Sequence, residues 1–216
     1  MEQEQQKRYR AWAEIDLNAL THNVQTVQNR LPAQTQFMAV VKANAYGHGD
    51  AAICQKLWEL GVRWFAVSNL EEALSVRQLC PYGEIFILGY TPPEFAPELA
   101  RNNIIQGVLS LEYARQLQSF AHQPVRCHIK LDTGMSRLGF LWEAGREEET
   151  ADEIARLCRL PGLEAEGLFT HFADADGSEA YTMAQFDRFL AARAALEERG
   201  IAFKICHCAS SAAVLQ

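Results

Sequence analysis

The strongest constraint in this sequence is a rhythm. Seven short apolar runs, at residues 37–41, 64–67, 85–88, 104–109, 125–131, 163–170 and 203–207, are each followed by helical spacing or a helix-capping signal. Strands that alternate with helices pair in parallel, because each crossover helix carries the chain back to the same end of the sheet. Seven such units without a reversal signal predict the α/β class, as a (β/α)8 TIM-type barrel incomplete at its C-terminus rather than a doubly wound sheet. A barrel lacking its last strand keeps an open parallel edge, so a shortened chain or a partial gene product is expected.

Capping residues and spacing set the remaining elements. Residues 2–10 are polar and expected to fray, and Trp12-Ala13-Glu14-Ile15-Asp16 alternates like a short strand. Leu17, Leu20, Val24, Val27 and Leu31 then form one apolar helical face behind a possible Asp16 cap. A helix opens at Asp50, Asn69 and Glu72 form a capping box, and Ser110 caps a further helix. Pro92-Pro93 starts another helix. Met183, Phe186 and Leu190 mark the apolar face of a late helix, and Glu147-Glu148-Glu149 reads as the solvated first turn of an earlier one.

Composition removes several classes of function. With 20 Lys and Arg against 27 Asp and Glu, the net charge is -7, and no basic stripe favours a nucleic-acid partner. The six cysteines show no C-x-x-C pair, and Cys206 and Cys208 share a strand face without a third ligand, which speaks against a metal. The N-terminus lacks an apolar signal core and no run approaches the ~20 residues that span a bilayer. A cytoplasmic chain with free thiols is expected.

In a barrel, chemistry gathers where strands end at their C-terminal sides. Lys42 closes the first run in Val41-Lys42-Ala43-Asn44-Ala45-Tyr46-Gly47-His48-Gly49. A lysine over an apolar sheet end is partly desolvated, which favours the neutral amine and Schiff-base chemistry. Tyr46 and the N–H groups of Gly47 and Gly49 are candidate anion ligands. In the fifth run, His128, Lys130 and Asp132 share one face, and Arg137 follows in the loop. If that face turns inward, Lys130 is buried near the mouth and needs an anion, for which Asp132 is the plain structural partner. His171 ends the sixth run among aromatics, where a satisfied core histidine is the ordinary alternative. His207 ends the seventh, ahead of Ser210 and Ser211 at a helix start that suits a phosphate or a simple N-cap.

Two of these stretches, Val41 to Gly49 and His128-Ile129-Lys130-Leu131-Asp132-Thr133-Gly134-Met135-Ser136-Arg137-Leu138-Gly139, resemble the signatures of alanine racemases. The likeness runs from Trp12 to Ser211. It implies pyridoxal 5'-phosphate held on Lys42 as a Schiff base, with Lys42 also one of two bases that exchange the Cα proton between L- and D-alanine. It further implies that Arg137 meets the cofactor's phenolic oxygen and the substrate carboxylate, and that a carbamylated Lys130 orients Arg137. His171 is implied to lie beneath the cofactor ring, and Ser211 to bind the phosphate. Ser210 stands where family members commonly carry asparagine, so that contact stays open.

The resemblance also implies parts outside these residues. A tyrosine from the C-terminal β domain of a partner subunit is the second base of a homodimer, and an arginine beyond Gln216 joins His171 to the pyridine nitrogen. Without them, residues 1–216, as the N-terminal cofactor-binding barrel alone, are expected to bind the cofactor weakly and racemise poorly. Ile87-Leu88-Gly89-Tyr90-Thr91 and His207-Cys208-Ala209-Ser210-Ser211 look like the membrane-linked serine/alanine racemases of vancomycin-resistance clusters, which makes serine an alternative substrate and peptidoglycan precursor supply the expected role. Two rivals are a single-barrel pyridoxal-phosphate homeostasis protein and an inactive remnant. The first lacks both signatures.

Overall fold

In the computed structural model, which describes residues 10–215, all seven expected strands form. They are β1 (Met38–Val40), β2 (Trp64–Val67), β3 (Glu84–Ile87), β4 (Ile104–Val108), β5 (Val125–Asp132), β7 (Leu163–Phe169) and β8 (Ile205–His207). Each pairs in parallel with its neighbour, in the order β1-β2-β3-β4-β5-β7-β8. A two-residue strand, β6 (Phe140–Leu141), branches from the end of β5 where the sequence reads as loop. Among the described residues β1 and β8 have no partner on their outer sides, so the sheet is an incomplete barrel.

Helices α1 (Leu17–Gln28), α2 (Asp50–Glu59), α3 (Leu70–Leu79), α4 (Ala96–Arg101), α5 (Leu111–Phe120), α6 (Glu147–Cys158), α7 (Glu179–Glu197) and α8 (Ser211–Leu215) occupy the crossovers and flanks. Asp16 caps α1 by accepting from the N–H groups of Asn18 and Ala19, and Ser110 caps α5. Arg30 Nη1 donates to the Leu215 carbonyl at 2.9 Å, tying the segment after α1 to α8. No helix among the described residues is long and apolar enough to cross a membrane.

Two sequence expectations differ from what forms, and a third is not described. The expected fraying of residues 2–10 falls, except at Arg10, outside the described residues. Residues 12–16 form no strand; they are exposed, and alternation without a sheet edge to pair with does not make one. Helix α7 is turned from its expected face. Met183 and Leu190 point outward, while Gln185, Phe189, Ala192 and Leu196 are buried.

The pleat of each strand feeds two cores. One side of the sheet, with Phe65, Ile85, Ile87, Cys127, Ile129 and Leu131 among others, packs beneath the helices. The other side faces the lumen, where Trp64, Ala66, Phe86, Ile105 and Phe169 form a separate cluster. Because Cys127, Ile129 and Leu131 face the helices, the intervening Arg126, His128, Lys130 and Asp132 point inward. This is the conditional orientation the sequence left open.

Space inside is tight. Gly167 lies beside His128 in register, and a Cβ there would sit 2.3 Å from the His128 ring. Overpacking of this kind costs roughly 1–3 kcal/mol. Gly167→Ala is therefore expected to lower the urea midpoint by a corresponding amount without altering the denaturant slope, as read by circular dichroism.

Candidate active site

The mouth of the barrel begins with a turn of the wrong hand. After β1, Ala43, Asn44, Ala45 and Tyr46 all have φ between 51° and 55°, one left-handed helical turn built without glycine. Each such residue costs roughly 1–2 kcal/mol, less for asparagine, so surrounding contacts must hold it. They do. The Ala43 N–H donates to Glu72 Oε1 at 2.8 Å, and Asn44 Oδ1 accepts from the Asp50 N–H at 2.8 Å, which starts α2.

Glu72 departs from the expected capping box. Asn69 accepts from the Glu72 N–H, but the Glu72 carboxylate reaches Ser68 and Ala43 rather than returning to Asn69. Burial alone would raise its pKa. The N–H groups of Ser68 and Ala43, the Ser68 hydroxyl and the Lys42 charge outweigh that and hold it below the usual carboxylate range. The N–H groups of Gly47 and Gly49 also differ from expectation. Both donate to carbonyls within the turn, at Ala43 and Asn44, and are spent before any anion arrives. Lys42 is half-buried at this turn, and its Nζ lies 5.9 Å from the ring centroid of the exposed Tyr46.

Strand β5 supplies the inner wall. Asp132 does not pair with Lys130; its carboxylate accepts from the N–H groups of Gly134, Ser136 and Arg137 and folds the Arg137 loop back on itself. Gly139 in that loop packs against the Lys130 stem, where a Cβ would sit 2.7 Å from Cγ. Lys130 is left buried, 7% exposed, with no hydrogen-bond partner for Nζ among the described residues and the Phe169 ring centroid 5.0 Å away. Burial pulls its pKa down to about 8; Asp132 opposes the drop and Arg137 adds to it.

His171, half-buried just beyond β7, is held below the usual histidine range by burial and by the cations Lys130, Arg137 and Lys42. Those three electrostatic influences on one ring bring together four expected site residues. Arg137 itself is exposed at the loop tip, Ser210 is half-buried and Ser211 exposed beyond β8.

One pair escaped the sequence reading. His128 Nδ1 and His207 Nε2 lie 2.9 Å apart in the lumen, and the His207 ring stacks on Phe169 at 4.9 Å. The signal was available in the inward alternation of β5, but the partner lies 79 residues away.

A parallel barrel mouth that offers a lysine amine, further cations and a neutral imidazole defines a class of site able to capture a carbonyl compound bearing negative charge. The comparisons give the family. A family profile described as "Alanine racemase, N-terminal domain" matches residues 15–216. The alanine racemase of Clostridium perfringens (strain ATCC 13124) is 41% identical over 94% of this chain and 53% of its own length. A structure of alanine racemase from Clostridium difficile 630 in complex with cycloserine aligns with TM-score 0.88 and 36% identity, covering 94% of this chain and 56% of that one. Alanine racemase from Bacillus anthracis with bound L-Ala-P aligns with TM-score 0.87 and 33% identity, over 95% of this chain and 53% of that one. The chain belongs to the alanine racemase family. It spans about half the length of the curated relatives it matches.

The histidine pair makes the lumen acid-sensitive. Burial, His207 and Arg126 pull His128 down to about 3, and burial with Lys130 pulls His207 to about 4, against an ordinary value of 6.5. Each folded value lies below the unfolded one, so this stability is full above pH 6.5 and is lost as pH falls through about 4 and 3. Urea midpoints measured from pH 7 to pH 4 are expected to fall less steeply in His128→Leu than in the unsubstituted chain.

Proposed function

We propose that this chain is the pyridoxal-phosphate-binding barrel of a cytoplasmic, homodimeric amino-acid racemase. Its substrate is L- and D-alanine, with L- and D-serine as the finer alternative, and its role is peptidoglycan precursor supply. The observation that carries this reading is Lys42, offered by a strained turn at the barrel mouth within electrostatic reach of His171, which also feels Lys130 and Arg137. Relatives bound to cycloserine and to L-Ala-P support an amino-acid substrate.

The residues suit the cofactor. Lys130 Nζ is buried without a hydrogen-bond partner among the described residues, and an anionic group in the mouth would compensate its charge. Tyr46, Ser210 and Ser211 are assigned to the phosphate, His171 to the ring face, and Arg137 to the phenolic oxygen. When bound, pyridoxal phosphate supplies an electron sink for the charge that develops at the substrate Cα. Lys42 Nζ would hold the cofactor covalently and, once released, would take or return the Cα proton on one face. Arg137 presents the planar donor fork that orients a carboxylate in two parallel hydrogen bonds.

Lys130 has the environment for carbamylation. With its pKa near 8 a useful fraction is neutral amine at physiological pH. Addition of CO2 forms an N–C bond, releases one proton and leaves an anion beside the Arg137 charge. Replacing a buried cation by an anion there removes the repulsion between Lys130 and Arg137.

Borohydride reduction after titration with pyridoxal phosphate is expected to fix one cofactor on the peptide containing Lys42. Lys42→Ala should lose that label, and a label that persists overturns the assignment. Cofactor affinity is also expected to weaken several-fold in CO2-free buffer, on the order of 1 kcal/mol for one charge-assisted contact. Lys130→Ala should show no such dependence in the same fluorescence titration.

A further inference from the structure

Helix α7 buries a glutamine, flanked by two exposed polar residues, where a covering helix needs only apolar ones. We propose that Gln185 is a positioning residue that, with Tyr181 and Arg188, locks the Arg137 loop and the His171 segment into one rigid unit. This rests on the reading above in which Arg137 and His171 contact the cofactor. What Gln185 adds is their fixed spacing.

Tyr181, Gln185 and Arg188 are spaced i, i+4 and i+7, so all three side chains leave one side of α7. Gln185 is 0% exposed and uses its amide in three directions. Its Oε1 accepts from the Ala173 N–H at 2.8 Å, and its Nε2 donates to the His171 carbonyl at 3.2 Å and to Thr133 Oγ1 at 3.4 Å. One side chain therefore touches both the residue that opens the Arg137 loop and the backbone on both sides of Phe172. Thr133 Oγ1 in turn lies 2.8 Å from Thr170 Oγ1, which donates to the Leu131 carbonyl, so the two strand ends are cross-tied beneath it.

The flanking residues complete the clamp. Arg188 Nη1 donates to the Thr133 carbonyl at 2.9 Å and the Tyr181 hydroxyl to the Gly134 carbonyl at 2.6 Å. Gly134 has φ +138°, and a Cβ there would meet these same three side chains, Tyr181 Oη at 2.8 Å, Arg188 Nη1 at 3.1 Å and Gln185 Cγ at 3.3 Å. The loop is thus gripped from α7 on one side and by the Asp132 carboxylate on the other.

A covering role alone does not account for this. Further along α7 the inward positions are Phe189, Ala192 and Leu196, all in the main core. A side chain whose only task was burial would match them, since a buried amide costs free energy unless each polar atom is paired. At Gln185 the pairing goes to the two segments that carry Arg137 and His171.

The test compares three variants of the 216-residue chain by visible-band titration with pyridoxal phosphate and by urea unfolding. Gln185→Met keeps length and volume but removes every hydrogen bond. It is expected to bind the cofactor about tenfold more weakly, the loss of one to two buried hydrogen bonds. Phe189→Leu removes core volume on the same helix and is expected to lower the urea midpoint while keeping cofactor affinity. Gln185→Glu keeps the acceptor and regains the donor only when protonated, so its affinity relative to the unsubstituted chain should recover as pH falls; it decides the matter if Gln185→Met does not fold.

Unchanged affinity in a folded Gln185→Met, a pH-independent ratio for Gln185→Glu, or an equal loss in Phe189→Leu overturns the proposal. If the unsubstituted chain takes no borohydride-fixed label at Lys42, the underlying cofactor reading fails first and is recognised by that result alone.

Discussion

A strand that carries Arg126, His128, Lys130 and Asp132 into a barrel lumen must find a partner for each, because an unpaired polar group in a dry interior costs several kcal/mol in the limit. Two of the four are fully satisfied and a third only in part. Arg126 bonds to Glu84 and Glu166 and Asp132 to the backbone of its own loop, while His128 pairs through Nδ1 with His207 and its Nε2 has no hydrogen-bond partner among the described residues. Among the described residues Lys130 finds the face of Phe169 and no hydrogen-bond partner. The lumen is therefore insulated at its base and unbalanced at its mouth, and the excess positive charge lies where Lys42, Arg137 and His171 also gather. Family membership, the incomplete barrel and this imbalance are consistent with one another.

The order of strands was legible because hydrophobic runs and capping residues are local signals, and α/β alternation admits few topologies. The inward face of β5 was legible only as a condition, resolved once Cys127, Ile129 and Leu131 were seen beneath the helices. What could not be read was bonding between distant segments. Nothing near Glu72 announces that it will accept from Ala43, and nothing near Asp132 says that its loop will take both oxygens and leave Lys130 alone. The face of α7 was misjudged for a related reason. Its buried positions include a glutamine whose partners lie in two other loops, so an apolar count selected the outer side. The expected strand at residues 12–16 failed because alternation is a property of a strand in a sheet, not of a segment by itself.

The left-handed turn after β1 belongs to the same economy of long-range support. Four residues in an unfavourable conformation survive because Glu72 and Asn44 fasten the turn to the next strand end and the next helix. Its geometry uses up the N–H groups of Gly47 and Gly49, and leaves side chains to meet an anion. Strain and pairing together explain why the site is carried on loops while its positions are dictated by neighbouring elements.

The grip of α7 on the Arg137 loop has a consequence in time. The bonds from Gln185 and Arg188 to Thr133 span 52 and 55 residues, far more than the 29 between Glu72 and Ala43. At a synthesis rate of about 5–20 residues per second, a nascent chain waits roughly 3–10 s between exposing the loop and exposing the helix that closes on it. During that interval the Asp132 carboxylate and the short β5–β6 pairing shape the loop without α7. The lysine side of the mouth can be complete while the arginine side is still being made, so the two halves of the site have different ages in every newly synthesised molecule.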